Sequence, residues 1–311
     1  MLRIVYAGTP EFAVPALQEL LRSDHEVVAV YTQPDRPAGR GRKTQVGPVK
    51  RCALDADLAI FQPPDFTDQA TIDELAALDA DLMVVAAYGL ILPSVVLEIP
   101  RLGCVNIHAS LLPRWRGASP IQQAILAGDR QTGVTLMQME TGLDTGPVVS
   151  QCELIIESDW TAGNLHDRLA PLGAELLIEV LPDVESALQQ AQPQVESEAS
   201  YAPRLTKQQA EFDWQDSVSQ LHRQVLAFNP WPVSHSLLGS ERLRIWNAKP
   251  ALGIEPGKPG QVVAHERDGI YVSCSDGVLQ ITELQFAGRN RCNAADALNA
   301  RSLNGRILGT E

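Results

Sequence analysis

Residues 2–8, Leu2-Arg3-Ile4-Val5-Tyr6-Ala7-Gly8, form a largely apolar run closed by a glycine, and a helical pattern, Pro10 to Arg22, follows at once. A second run, Glu26 to Gln33, comes next and leads into a loop. The alternation resumes with the run Leu58 to Gln62, the helical stretch Asp68 to Leu78 and the run Leu82 to Tyr88. Runs that are apolar on both faces belong to covered strands, and strands that alternate with helices belong to a parallel sheet. Cys104 to Ser110, Thr132 to Met139 and Val148 to Ile156 read as further strands. Ser119 to Ala127 and Ala162 to Gln190 read as helices. Residues 1–190 are therefore expected to form an α/β, Rossmann-like parallel-sheet domain.

Past Gln190 the pattern breaks into Gln-Ala-Gln-Pro-Gln-Val-Glu-Ser-Glu-Ala-Ser, polar and aperiodic, which reads as a linker over residues 191–205. One amphipathic helix, Val218 to Ala227, follows. Short strands come after it: Arg242 to Trp246, Gly260 to Ala264, Ile270 to Cys274 and Leu279 to Leu284. Turns at Gly239, Asp268-Gly269 and Asp276-Gly277 separate them, and Asn293 to Ala300 adds a closing helix. Residues 206–311 are expected to be a small OB-like β-barrel.

A chain of 311 residues exceeds what one core usually fills, which agrees with two domains. The five cysteines are odd in number and include no Cys-x-x-Cys pair, so reduced thiols are expected rather than disulfides or zinc. The first apolar run is shorter than the core of an export signal, and no stretch reaches the roughly 18 apolar residues of a membrane span. A cytoplasmic chain with no membrane partner is the expectation. The net charge of -13 is unevenly spread: residues 1–203 carry 13 Lys/Arg against 27 Asp/Glu, and residues 204–311 carry 12 against 11. Against that acidic background, residues 36–51 hold Arg36, Arg40, Arg42, Lys43, Lys50 and Arg51 with no acid. A solvated loop would suit such charges. A site that draws phosphates would suit them too, because Lys and Arg contacts dominate nucleic-acid affinity.

Val105-Asn106-Ile107-His108-Ala109-Ser110 alternates strictly, so a strand here sets Asn106 and His108 on one face, roughly 7 Å apart. The strand runs into Ser110-Leu111-Leu112-Pro113, and ligands of open α/β sheets bind outside the carboxyl ends of strands. By itself the pair also fits an Asn and a His satisfied inside a core. Thr141-Gly142-Leu143-Asp144-Thr145-Gly146, with Asp144 36 residues beyond His108, flanks an aspartate with two glycines and presents a carboxylate with little cover. Gly8 does not open a dinucleotide site: Gly8-Thr9-Pro10-Glu11-Phe12-Ala13 lacks G-x-G-x-x-G and sets Pro where N–H groups would be needed. Arg114 and Arg116 suit phosphate, the acidic tail of a ligand, or pairing with nearby acids, and the residues alone do not rank these. Phe228-Asn229-Pro230-Trp231-Pro232 suits packing better than base stacking.

Taken together these segments resemble the methionyl-tRNA formyltransferases over the whole length of the chain. The resemblance rests on Ala7 to Phe12, Gln33 to Gly41, Ala87 to Pro93, Asn106 to Gly117, Met137 to Met139 with Gly142 to Gly146, and Phe228 to Pro232. The Asn-x-His with its downstream Asp is shared by folate-dependent formyltransferases in general, and the basic loop and the Phe-Asn-Pro-Trp-Pro segment narrow the likeness. One departure is Ala109, where close relatives often carry Gly. The resemblance implies formyl transfer from 10-formyltetrahydrofolate, as a co-substrate, to methionine on initiator tRNA. It implies Asn106, His108 and Asp144 as the catalytic trio and Ser110, Leu111, Leu112 and Pro113 as the folate-contacting stretch. Arg40, Arg42 and Lys43 are implied to meet tRNA. No metal is implied, and a monomer is expected. The trio suits the chemistry: Asn106 donates to the oxyanion, His108 moves the proton shed by the amine, and Asp144 orients the imidazole and stabilises its charged form. The same chemistry on an amino sugar, hydrolysis of the folate, and an inactive nucleic-acid-binding module are the alternatives. The intact trio argues against the last.

Overall fold

The computed structural model describes residues 1–38 and 43–309. The chain divides into two compact units. The first comprises Met1–Pro120, Gln131–Ile155 and His166–Ala202; the second comprises Ile121–Arg130, Ile156–Leu165 and Pro203–Glu311.

The first unit is built on a seven-stranded sheet in the order Val148–Ile155, Gln131–Gln138, Cys104–His108, Leu82–Ala86, Arg3–Gly8, Glu26–Tyr31, Ile60–Phe61. The last five in that order run parallel. Gln131–Gln138 lies antiparallel to Cys104–His108, and Val148–Ile155 antiparallel to Gln131–Gln138. The uninterrupted apolar runs follow from position: Ile4 to Ala7 and Leu82 to Met83 are covered on both faces and fully buried. Successive strands spread first to one side of Arg3–Gly8 and then to the other, so the strand order reverses between Arg3–Gly8 and Leu82–Ala86. Their carboxyl ends are where an open α/β sheet takes its ligand.

The helix Ala162–Val180 carries Gly173 where a Cβ would come within 2.6 Å of Ile107 Cγ2 and 3.4 Å of Val134 Cγ1. The glycine thus permits close packing of the helix on the strand that bears Asn106 and His108. One helix stands where the sequence reads as loop, Pro48–Asp55, with Gly47 as its N-cap, Pro48 in its first turn, and Val49 and Ala53 buried on one face. The basic run before it is also ordered at its base, as a hairpin that pairs Arg36 with Gln45, Pro37 with Thr44 and Ala38 with Lys43. The polar run expected to be a linker is tied down as well: Gln192 bridges Val148, and Tyr201–Ala202 pairs in parallel with Arg116–Gly117.

In the second unit the closely spaced strands form a curled antiparallel sheet, a half-barrel, in the order His235–Leu238, Glu241–Ala251, Val278–Gln285, Ile270–Ser273, Val262–His265. Cys292–Asn293 also pairs with Val278–Gln285. The helix Val218–Ala227 opens with a full capping box between Ser217 and Gln220. It buries Leu221 and Val225 in the core formed by Trp214, Ile245, Val272, Leu279 and Ile281. Among the described residues, no helix is long and apolar enough to cross a membrane.

Candidate active site

Cys104–His108 lies inside the sheet, with Asn106 opposite Val85 on one side and Met137 on the other, and His108 opposite Thr135. The period of two works as expected: Val105 and Ile107 are buried on one face, and Asn106 and His108 share the other. Among the described residues, the Asn106 carboxamide makes no side-chain hydrogen bond within the protein, which leaves its N–H groups available. The thiol of Cys104, on the same face, is pushed up to about 12 by burial, so no thiolate stands beside the pair at neutral pH.

His108 is 5% exposed, and both of its ring nitrogens face oxygen. Nε2 lies 2.9 Å from the Trp115 carbonyl oxygen and Nδ1 lies 3.6 Å from Asp144 Oδ2. A carbonyl only accepts, so Nε2 is the donor and Nδ1 is the nitrogen left facing the carboxylate. The 3.6 Å separation exceeds a hydrogen bond and acts as a charge facing the ring. Asp144 Oδ2 is itself held by the Gly117 N–H at 2.7 Å. Asp144 sits in the left-handed region, with φ 52°, a conformation that aspartate tolerates better than most residues.

Ser110 to Pro113 turn off the end of the strand in a hydrogen-bonded arch. Thr135 Oγ1 donates to the Ser110 carbonyl at 2.7 Å and accepts from the Leu112 N–H at 3.0 Å. Gln151 donates to both Thr135 Oγ1 and the Leu112 carbonyl, each at 2.9 Å. The Ser110 hydroxyl, fully buried, donates to the Arg114 carbonyl at 2.6 Å. Within this stretch Leu111 and Pro113 keep accessible surface, whereas Ser110 and Leu112 are buried.

The residues that shape the site include Arg116, whose role the sequence left open among three, and others that it did not single out. Arg116 is 1% exposed and donates to Gln194 Oε1 at 3.0 Å, Glu196 Oε2 at 2.8 Å and the Tyr201 hydroxyl at 3.4 Å. Burial opposes its charge, but the bonds to Glu196 and Tyr201 outweigh it and the guanidinium stays protonated. Of the three fates open to Arg116, pairing with a nearby acid is the one observed. Gln194, Ser200 and Thr135 carry no motif, and only their tertiary neighbours reveal them. Gly117 has φ 113°, and a Cβ there would meet the Ala202 carbonyl oxygen at 2.8 Å, so no other residue fits.

In the basic run, Arg40 and Arg42 lie outside the described residues, and of Lys43 the backbone alone, in the strand Lys43–Gln45, is described. Lys50 is committed to Asp35 at 2.6 Å and to Gln62 Oε1 at 2.6 Å. In the second unit Phe228 is buried, Trp231 is half exposed, and Asn229 donates to the Trp246 carbonyl at 2.9 Å. Among the described residues, no group of His, Cys, Asp or Glu is arranged to hold a metal ion.

A family model described as formyl transferase matches residues 2–181, and one described as formyl transferase, C-terminal domain, matches residues 204–302. A methionyl-tRNA formyltransferase of Methylococcus capsulatus is 52% identical over 309 residues, 99% of this chain and 100% of that one. The chain belongs to the methionyl-tRNA formyltransferase family. Another member, from Pseudomonas syringae pv. syringae, is 51% identical over 96% of this chain and 95% of its own. Two solved structures share the fold at lower identity. HypX from Aquifex aeolicus in complex with tetrahydrofolic acid superposes with a TM-score of 0.66 at 21% identity, over 96% of this chain and 47% of that one. An N-formyltransferase from Helicobacter canadensis, in complex with folinic acid and dTDP-3-aminofucose, gives a TM-score of 0.68 at 18% identity, over 90% and 98%.

Proposed function

We propose that this chain transfers the formyl group of 10-formyltetrahydrofolate to the α-amino group of methionine on initiator tRNA, with Asn106, His108 and Asp144 carrying the step. Family membership supports the reaction. The observation that supports the trio is a buried His108 whose Nδ1 faces the Asp144 carboxylate on the same strand face as an unengaged Asn106 carboxamide.

In this reading the neutral amine attacks the formyl carbon, and the carbonyl oxygen becomes an oxyanion that the Asn106 N–H stabilises. The proton shed by the nitrogen goes to His108 Nδ1, where the Asp144 carboxylate stabilises the imidazolium. The bond from carbon to N10 then breaks and N10 receives the proton, leaving tetrahydrofolate and a formylated amine. The Trp115 carbonyl keeps Nε2 protonated throughout, so the ring cycles at one nitrogen.

Ser110 to Pro113 contact the folate, with Leu111 and Pro113 offering the accessible surface. Arg40, Arg42 and Lys43 meet the phosphates of the tRNA, since phosphate is drawn to the basic run of an otherwise acidic first part. Residues 1–190 act as the catalytic domain, 191–205 join it to the next, and residues 206–311 help hold the tRNA. The enzyme works as a cytoplasmic monomer. Incubation with 10-formyltetrahydrofolate and either Met-tRNA, a sugar amine or water alone tests the reading: formyl-Met-tRNA is expected, and formylation of a sugar amine with Met-tRNA untouched overturns it.

A further inference from the structure

The segment Gln192 to Ala202 runs along both loops of the proposed site. On one side the Trp115 N–H donates to Ser200 Oγ at 3.0 Å, the Arg116 N–H to the Ser200 carbonyl at 2.8 Å, and the Ala118 N–H to the Ala202 carbonyl at 2.8 Å. On the other side Gln194 Nε2 donates to the carbonyls of Asp144 at 2.8 Å and Gly146 at 2.7 Å. The oxygen of the same carboxamide accepts from Arg116 Nε at 3.0 Å. A guanidinium only donates and backbone carbonyls only accept, so a single orientation of the Gln194 amide satisfies all three bonds.

Asp144 needs such support. It lies in the left-handed region and is flanked at short range by Gly142 and Gly146, a loop with little intrinsic preference for one shape. Its carbonyl is held by Gln194, and its carboxylate by the N–H of Gly117, which stands in the short strand paired with Tyr201–Ala202. Both anchors of Asp144, one at its carbonyl and one at its carboxylate, therefore connect to one segment. Arg116, buried and bonded to Gln194, Glu196 and Tyr201, locks that segment in place.

We infer that Gln194 and Arg116 are positioning residues for formyl transfer, and that residues 192–202 are a strap that fixes the Asp144 carboxylate opposite His108. This rests on the reading of Asp144 given above. The strap touches no reacting atom; it acts through the geometry of a group that does. A displacement on the order of 1 Å in such a group costs roughly 10²-fold in rate.

The test is a kinetic cycle among Gln194→Met, Gln194→Glu and Asp144→Asn, with Met-tRNA and 10-formyltetrahydrofolate as substrates. Met keeps the volume and removes every hydrogen bond; Glu keeps the acceptor for Arg116 and loses the donor to the two carbonyls. Gln194 is partly exposed on an irregular segment, and an unchanged circular dichroism spectrum and melting curve establish that both variants fold. Both are expected to lower kcat by about tenfold or more, with KM for each substrate within about threefold. In the Asp144→Asn background, neither is expected to lower kcat further. Wild-type kcat in both Gln194 variants beside an impaired Asp144→Asn overturns the strap and leaves the reading of Asp144 standing. An additive loss in the double variants, or a change confined to KM, overturns it too. Wild-type activity in Asp144→Asn removes Asp144 from the reaction and the strap's purpose with it.

Discussion

Replacing Gly173 by Ala sets two effects of known size against each other directly behind the site. Alanine is the better helix former, by about 1 kcal/mol in a helix interior. The added Cβ, however, would stand 2.6 Å from Ile107 Cγ2, and ordinary contact begins at 3.4 Å, so about 0.8 Å must be made up by the helix, the strand or the Ile107 side chain. Val134 Cγ1, at 3.4 Å, closes the neighbouring direction. Overpacking of a filled core costs ~1–3 kcal/mol, so the net expectation is a loss of roughly 1 kcal/mol despite the gain in propensity. The functional effect should exceed the stability effect, because Ile107 lies between Asn106 and His108 on the same strand. A shift approaching 1 Å there lowers kcat by at least about tenfold. Urea unfolding monitored by circular dichroism gives the first quantity, and initial rates of Met-tRNA formylation at saturating substrates give the second. A Gly173→Ala protein more stable than the parent, or one that keeps its kcat, would refute the close packing of this helix on the strand that bears Asn106 and His108.

His108→Ala is expected to lower kcat by roughly 10² to 10⁴ with the melting curve preserved, and near-normal turnover removes it from the trio. Arg40→Ala is expected to raise KM for Met-tRNA and reduce the salt dependence of tRNA binding while folate binding stays as it was; an unchanged salt slope in filter binding counts against a phosphate contact. Stability should fall on acidification for a stated reason. Asp35 is held below the usual carboxylate range by its bond from Lys50, with Gln62 adding to it, and Asp81 by the Arg3 backbone N–H, with Arg101 adding to it. The unfolded chain therefore takes up these protons first, near the ordinary aspartate value of about 3.9, and the stabilisation, complete above that value, is lost as pH falls through the lower folded values. Asp35→Asn is expected to lower urea midpoints at neutral pH and to flatten their decline below about pH 4. An equally steep decline in the variant would show that the Lys50 pair contributes nothing to it.

Much of the first unit was legible because its strands are buried on both faces. Burial of that kind writes unbroken apolar runs into the chain, and Arg3–Gly8, Glu26–Tyr31 and Leu82–Ala86 all fall within the runs read as strands. The helix Val218–Ala227 was legible because its amphipathic face marks its body, and the structure adds a Ser217–Gln220 capping box at its start. The helix Pro48–Asp55 was not: its Lys50, Arg51 and Asp55 dilute the apolar face, and the adjoining basic run draws attention to charge instead of period.

The candidate site divides along the same line. Sequence by itself determined that Asn106 and His108 share a face, because a strand's period of two is a local property of the backbone, and that Asp144 stands in a permissive glycine-flanked turn. Only the tertiary structure decided that His108 presents Nδ1 to Asp144 while Nε2 is bound to Trp115, and that Arg116 is a buried anchor rather than a surface charge. Those outcomes depend on Gln194 and Ser200, roughly 80 residues downstream, whose hydrogen bonds exist once the chain has closed and water has left. Period and turn chemistry are set by neighbours in the chain, whereas partners of buried polar groups are set by whichever segments the fold brings to them.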